Sequence, residues 1–198
     1  HRLSSGICSL VENEDRLVKS VLFRFKEDGT PIGAKLAECV IRSDKRLTYE
    51  QAILFLRGKS LEQIKREKPP PSRYSGNPGK SLSELPDETL KEINLAIQRL
   101  WSIASKLRLA RMKAGSLDLE SPDVKILVNA KGEPDRILQM ENDESHQLIE
   151  EFMLLANQTV AKKLRQRKIP GIFRVHPEPD PENLDELRNF LAIFGISC

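Results

Sequence analysis

The chain reads as an α+β domain in which antiparallel hairpins or a small mixed sheet pack against long helices. Two stretches rich in branched and aromatic residues flank a turn signal, and a second such pair follows further on. Two longer runs carry apolar side chains at spacings of three and four, which is the helical period. At 198 residues, 39% hydrophobic and 31% charged, the chain has the size for one large domain or two small ones. It also has the apolar content to bury a core rather than stay disordered.

Cys8-Ser9-Leu10-Val11-Glu12-Asn13-Glu14-Asp15 is expected to be a loop into the first strand, Leu17–Lys26, which puts Val21, Phe23 and Phe25 on one face. Glu27-Asp28-Gly29-Thr30 is a turn, and Ile32–Ile41 the returning strand. Thr48 is placed to cap a short helix that Gly58 ends. From Lys65 to Leu82 the chain opens with Lys65, Arg66 and Lys68 and runs into prolines and glycines, which predicts an exposed, mobile insert over about 66–82. Tyr74 lies within it.

The longest helix is expected from Asp87 to about Ala114, with Leu90, Ile93, Ile97, Leu100, Trp101, Ala104 and Leu107 as its stripe and Gly115 as its stop. Lys106, Arg108, Arg111 and Lys113 crowd its last turns, where the helix dipole accounts for cations. Short strands follow at 116–120, 124–129 and 136–140, the last two as a hairpin through Lys131-Gly132-Glu133-Pro134. A second long helix begins near Asp143 and ends near Arg167, before Pro170. Gly171–Val175 reads as a strand with Arg174 and His176 on one face, and Asn183–Phe194 as a final amphipathic helix.

The helix from Asp143 carries the most chemistry. Ile149, Phe152, Met153, Ala156, Val160 and Leu164 form an apolar stripe, and His146, Glu150 and Asn157 fall beside it, within about 40° of one another at roughly 100° per residue. A carboxylate and an amide on such a flank need hydrogen-bond partners, either inside the fold or on a ligand. Lys162, Lys163, Arg165, Arg167 and Lys168 at its end suit the dipole and can equally bind phosphates. Tyr49, near Lys45 and Arg46, is either an ordinary packed tyrosine or one that stacks on a base while the cations hold a phosphate.

Net charge is only +3, so nucleic-acid affinity has to come from local patches. Cys8, Cys39 and Cys198 lack CxxC spacing, which argues against a zinc site or disulfide scaffold and suits a reducing cytoplasm. No apolar run approaches the roughly 20 residues of a membrane span, so no membrane partner is expected. GxGxxG, P-loop, GxSxG and HExxH motifs are absent, the three histidines are far apart, and no close-set aspartate cluster for two magnesium ions is present.

Five segments, in order, resemble successive parts of one known catalytic domain: LSSGICSLVENEDRLV, RLTYEQA, GSLDLESPDVKILVNAKGEPDRI, DESHQLIEEFMLLANQTVAKKL and FRVHPEPDPENLDEL. That domain is the RNB domain of the ribonuclease II/ribonuclease R family, and the likeness covers nearly the whole chain apart from the insert. The resemblance implies a processive exoribonuclease that degrades single-stranded RNA from its 3′ end to nucleoside 5′-monophosphates by a two-metal, magnesium-dependent hydrolysis. By motif position, Tyr49 matches a tyrosine of the family's active site. Glu150 or Glu151 matches a glutamate that contacts the terminal ribose, spacing favouring Glu151 and helix face Glu150. His146 and Asn157 are then expected to support that carboxylate. Leu119 stands where some members carry a phenylalanine that stacks on a base, so that clamp is weakened here. Arg46, Leu119, Lys162 and Lys163 complete the expected RNA contacts.

The family's metal-binding aspartates precede the segment where this chain starts, and its arginine-bearing motif follows the segment where it ends. The chain, which opens on His1, is therefore expected to be a central fragment that does not hydrolyse RNA alone, holds no metal ligands itself, and associates through the apolar faces that truncation exposes. The alternative is an RNB-like RNA-binding or regulatory module that has lost catalysis.

Overall fold

The computed structural model describes residues 3–67, 80–117, 123–129, 132–140 and 142–196. The elements run β1 (Asp15–Phe25), β2 (Pro31–Arg42), α1 (Tyr49–Leu56), α2 (Leu61–Arg66), a 3₁₀ turn (Leu82–Glu84), α3 (Asp87–Lys113), β3 (Asp123–Val128), β4 (Pro134–Met140), α4 (Glu144–Gln166) and α5 (Pro181–Ile193). They divide into two compact units, residues 1–159 and 160–198, which are described separately.

The strands pair as two separate antiparallel hairpins, β1 with β2 and β3 with β4, and form no mixed sheet among the described residues. In the first, Asp15 faces Arg42 at the open end and Phe25 faces Pro31 at the closed end. The Arg42 Nε donates to Asp15 Oδ1 at 2.7 Å, closing the open end. At the turn, the Thr30 N–H donates to Asp28 Oδ1 at 2.8 Å. Gly29 sits there at φ +86°, a left-handed conformation that favours glycine. Lys106 of α3 lies over it and donates from Nζ to the Glu27 carbonyl at 2.6 Å. The long helix thus holds the hairpin tip. The second hairpin closes on Asn129, whose side chain donates to Glu133 Oε2 at 2.9 Å and accepts from the Glu133 N–H at 3.1 Å.

The core of the first unit lies among helices. Phe55, Ile64, Leu82, Leu90 and Ile97 are buried together, with Leu47, Leu54, Leu56, Leu61, Leu85 and Ile93 packed around them. Each short helix starts in a capping box. Thr48 accepts from the Gln51 N–H while Gln51 accepts from the Thr48 N–H, and Ser60 and Gln63 repeat the arrangement for α2. The sequence reading missed α2. Gln98 of α3 donates to the Phe55 carbonyl at 2.8 Å, tying α3 to the end of α1. Leu100, expected on the α3 stripe, is instead exposed.

Glu12, read from sequence as part of a loop, is buried and joins three segments. It accepts from Lys45 Nζ at 2.5 Å, the Arg46 N–H at 2.7 Å and the Lys80 N–H at 3.2 Å. Burial pushes the Glu12 carboxyl up, but these hydrogen bonds and the Lys45 charge outweigh it and hold it below its ordinary value.

Two expected strands are not formed over their described residues. Ser116 and Leu117 lie outside any strand, and 118–120 fall outside the described residues. Most of the 66–82 insert, Tyr74 included, also falls outside the described residues, as does Leu119 further on. Gly171–Val175 forms no strand, so Arg174 and His176 do not share a strand face. A strand needs a neighbour for its N–H and C=O groups, and among its described residues the second unit has the end of α4, an irregular segment and α5, with no second strand. Asp180 caps α5 by accepting the Glu182 N–H at 3.0 Å, and Phe190 meets Phe194 edge-on at 5.2 Å.

Gly29→Ala and Gly58→Ala separate conformation from contact. Both glycines have positive φ, but an added Cβ at Gly29 comes within 2.8 Å of Lys106 while Gly58 faces open space. Thermal melts are expected to show Gly58→Ala costing about 1–2 kcal/mol and Gly29→Ala costing more. Equal losses would mean that Lys106 yields freely.

Candidate functional site

Helix α4 starts on an aspartate. Asp143 Oδ1 accepts from the Ser145 N–H at 3.0 Å, the Ser145 hydroxyl at 2.6 Å and the His146 N–H at 3.4 Å, which satisfies amides the first turn leaves open. The same oxygen lies 2.9 Å from His146 Nδ1. Burial pushes the Asp143 carboxyl up, and the bonds from Ser145 and His146 more than reverse it, leaving it below its ordinary value.

His146 in turn faces Tyr49. The two rings are stacked, with centroids 3.8 Å apart and planes 19° from parallel. Tyr49 stays 42% exposed. Arg57, just past α1, makes a second tie to α4, its Nη2 lying 3.4 Å from Glu144 Oε2. The first turn of α1 and the first turn of α4 are therefore joined by a ring stack backed by a carboxylate.

One turn further along α4 stand the two glutamates, and they differ sharply. Glu151 is 3% exposed in its side chain and Glu150 39%. Arg111 of α3 donates from Nη2 to Glu151 Oε1 at 2.6 Å and from Nε to both Glu151 oxygens at 3.2 and 3.3 Å. Its Nη2 also reaches Glu150 Oε1 at 3.2 Å. Arg108 Nη1 lies 3.7 Å from Glu151 and 3.9 Å from Glu150. Glu151 is thus an acceptor consumed inside the fold, while Glu150 keeps an exposed edge under the field of two guanidinium groups. His146 and Glu150 are four residues apart, so they neighbour each other on one helix face.

The apolar stripe expected on α4 is only partly buried. Ser145, Leu148 and Glu151 are its buried residues, whereas Ile149 and Met153 are exposed. The helix is turned so that its hydrogen-bonded polar groups go inward with Leu148. Arg108 and Arg111, assigned in sequence to the helix dipole, stand in the last turns of α3 and also partner the glutamates. A pair of arginines three apart and a pair of glutamates forty residues on are a charge match, but nothing in the sequence says that the two helices cross there. His146 stacks on Tyr49 and pairs with Asp143, and Asn157 is exposed. Arg46 is exposed and touches Glu12 through its backbone N–H. Lys162 and Lys163 lie near the end of α4, in the second unit. Leu119 is outside the described residues.

Among the described residues, no three His, Cys, Asp or Glu come together as a metal site, and no helix is long and apolar enough to cross a membrane. No chemical step is assigned to a metal held by this chain.

The model of the RNB domain family matches residues 1–197. The chain belongs to the RNB domain family. It is 37% identical over 98% of its length to ribonuclease R of Thermotoga maritima, covering 24% of that protein. It is 32% identical over 98% of its length to ribonuclease R of Escherichia coli, covering 21% of that protein. Among solved structures, ribonuclease R of Mycoplasma genitalium in complex with ribose-methylated single-stranded RNA superposes with a TM-score of 0.76 at 26% identity. That match covers 99% of this chain and 27% of the other. The chain spans about a quarter of the length of the relatives it matches. Its α+β arrangement is that of the ribonuclease R domain.

Two measurements check these contacts. Arg111→Met leaves Glu151 buried without its main partner and is expected to cost about 3–5 kcal/mol in a denaturant melt. Arg111→Met with Glu151→Leu should recover most of that loss, and no recovery would contradict the buried pair. For Asp143, the lowered folded value means its stabilisation is complete above the ordinary 3.8 and is lost as pH falls through that folded value. Asp143→Asn should therefore lower stability at neutral pH and flatten the acid limb below 3.8.

Proposed function

We propose that this chain is the central part of the catalytic domain of a magnesium-dependent, processive 3′→5′ exoribonuclease. It hydrolyses single-stranded RNA to nucleoside 5′-monophosphates in the cytoplasm, and this piece alone is inactive. The observation that supports the reading most is the joint placement of Tyr49, His146 and Glu150 along one side of α4, in a chain matched end to end by the RNB family. The relative of Mycoplasma genitalium was solved with single-stranded RNA, and also with double-stranded RNA.

In this reading Glu150, not Glu151, meets the terminal nucleotide. A ribose 2′-hydroxyl is a donor that DNA lacks, and an exposed carboxylate edge accepts it. Arg108 and Arg111 hold that edge in place. Tyr49 offers its exposed ring face to a base. Arg46, Lys162 and Lys163 give sequence-independent attraction to phosphates, and Leu119 gives apolar contact without a ring. The magnesium ligands lie in parts of the protein outside this chain, which is why the isolated piece is inactive. Isolated, it self-associates through the exposed apolar residues of the β1–β2 hairpin, Leu17 and Val40 among them.

Glu150→Gln and Glu151→Gln in the full-length protein test the assignment. Glu150→Gln is expected to slow release of mononucleotides about tenfold, the loss of a hydrogen bond to a charged acceptor, and to narrow the preference for RNA over DNA at an unchanged melting temperature. Glu151→Gln is expected to act mainly on stability. If Glu150→Gln left both rate and RNA preference untouched, the ribose assignment would fail. Mononucleotide release by the isolated chain with magnesium would overturn its proposed inactivity.

A further inference from the structure

We infer that His146 is a positioning residue: it backs the Tyr49 ring so that the other ring face presents a fixed platform to the 3′-terminal nucleobase. The inference rests on the proposed function, in which Tyr49 meets that end of the RNA. Its geometry is independent of that reading.

A half-exposed tyrosine on the first turn of a short helix has rotamer freedom around two bonds, and a stacking contact has to beat the entropy of freezing it. His146 covers one ring face at a centroid distance of 3.8 Å and 19° from parallel. The imidazole is itself fixed, because its Nδ1 lies 2.9 Å from Asp143 Oδ1. That oxygen is held in turn by the Ser145 N–H and hydroxyl. Arg57 and Glu144 clamp the other end of α1 to the same turn of α4. Every link from the α4 cap to the tyrosine ring is therefore specified.

Tyr49 is 42% exposed although His146 covers one of its ring faces, and the inference assigns the other face to the RNA. A planar, sequence-variable ring that arrives at that face is a nucleobase, and stacking on an aromatic accepts any of the four. Without His146 the tyrosine can still reach the base, but it has to be ordered by the substrate on each turnover. Preorganisation is then lost from the step that places the terminal nucleotide.

The test uses full-length protein and two RNA oligonucleotides, one with an ordinary 3′-terminal nucleotide and one whose terminal ribose lacks its base. On the ordinary end, His146→Ala is expected to lower kcat/KM about 2- to 12-fold, the range an aromatic pair contributes, with the melting temperature within a degree or two. His146→Phe restores most of it and His146→Leu does not, because only the first presents a ring. That pair of variants stands in should His146→Ala fold poorly. On the abasic end, wild type and His146→Ala are expected to turn over alike. Equal slowing on both ends, or rescue by leucine as full as that by phenylalanine, would overturn the inference. Tyr49→Ala separates it from the reading beneath: slowing by Tyr49→Ala but not by His146→Ala defeats only the backing role. No slowing by Tyr49→Ala removes Tyr49 from the site altogether.

Discussion

A buried carboxylate dictates how the long helices meet. Glu151 has almost no contact with solvent, and removing a charge from water is costly unless an opposite charge and hydrogen bonds replace the lost hydration. Arg111 does this with a forked contact to both oxygens, with Arg108 close by. Only one rotation of α4 allows that contact. The same rotation leaves Ile149 and Met153 outward, presents Glu150 to solvent, and carries His146 to the ring of Tyr49. The polar pair, more than the apolar stripe, sets the orientation.

The rest of the first unit follows a similar logic. Its apolar core is small and belongs to α1, α2, the Leu82–Glu84 turn and the first half of α3. The β1–β2 hairpin is held to the helices by point contacts with defined geometry. Lys106 grips its turn, and Glu12 gathers Lys45, Arg46 and Lys80 near its open end. Such contacts contribute through direction rather than area, since each buried polar group must find its partner. A fold assembled this way can display polar side chains at fixed positions without first enclosing them in a deep core.

Within the site, division of labour between neighbours is the recurring device. Two adjacent glutamates share one pair of arginines, yet one is structural and the other keeps an open edge. Asp143 serves both as helix cap and as anchor of an imidazole. Economy of this kind links stability to function, because the groups that order α4 also aim the side chains that face outward.

Sequence alone determined the periodic and punctuated parts. The Glu27–Thr30 turn with Gly29, the Thr48 cap, the span of α3 and the dipole-matched ends of α4 all follow from local rules on backbone geometry and unsatisfied helix ends. The ordered segments from LSSGICSLVENEDRLV to FRVHPEPDPENLDEL likewise carried the family. Tertiary structure decided what depends on contacts distant in the chain. Whether Glu150 or Glu151 goes inward turned on Arg111, forty residues earlier, and the stacking of His146 on Tyr49, nearly a hundred residues earlier. It also showed that Gly171–Val175 is no strand, because β-propensity cannot supply the neighbour a strand must bond. A helical wheel ranks faces by hydrophobicity. It cannot see that a buried ion pair, once its partner is in place, outranks two apolar side chains for the inner face.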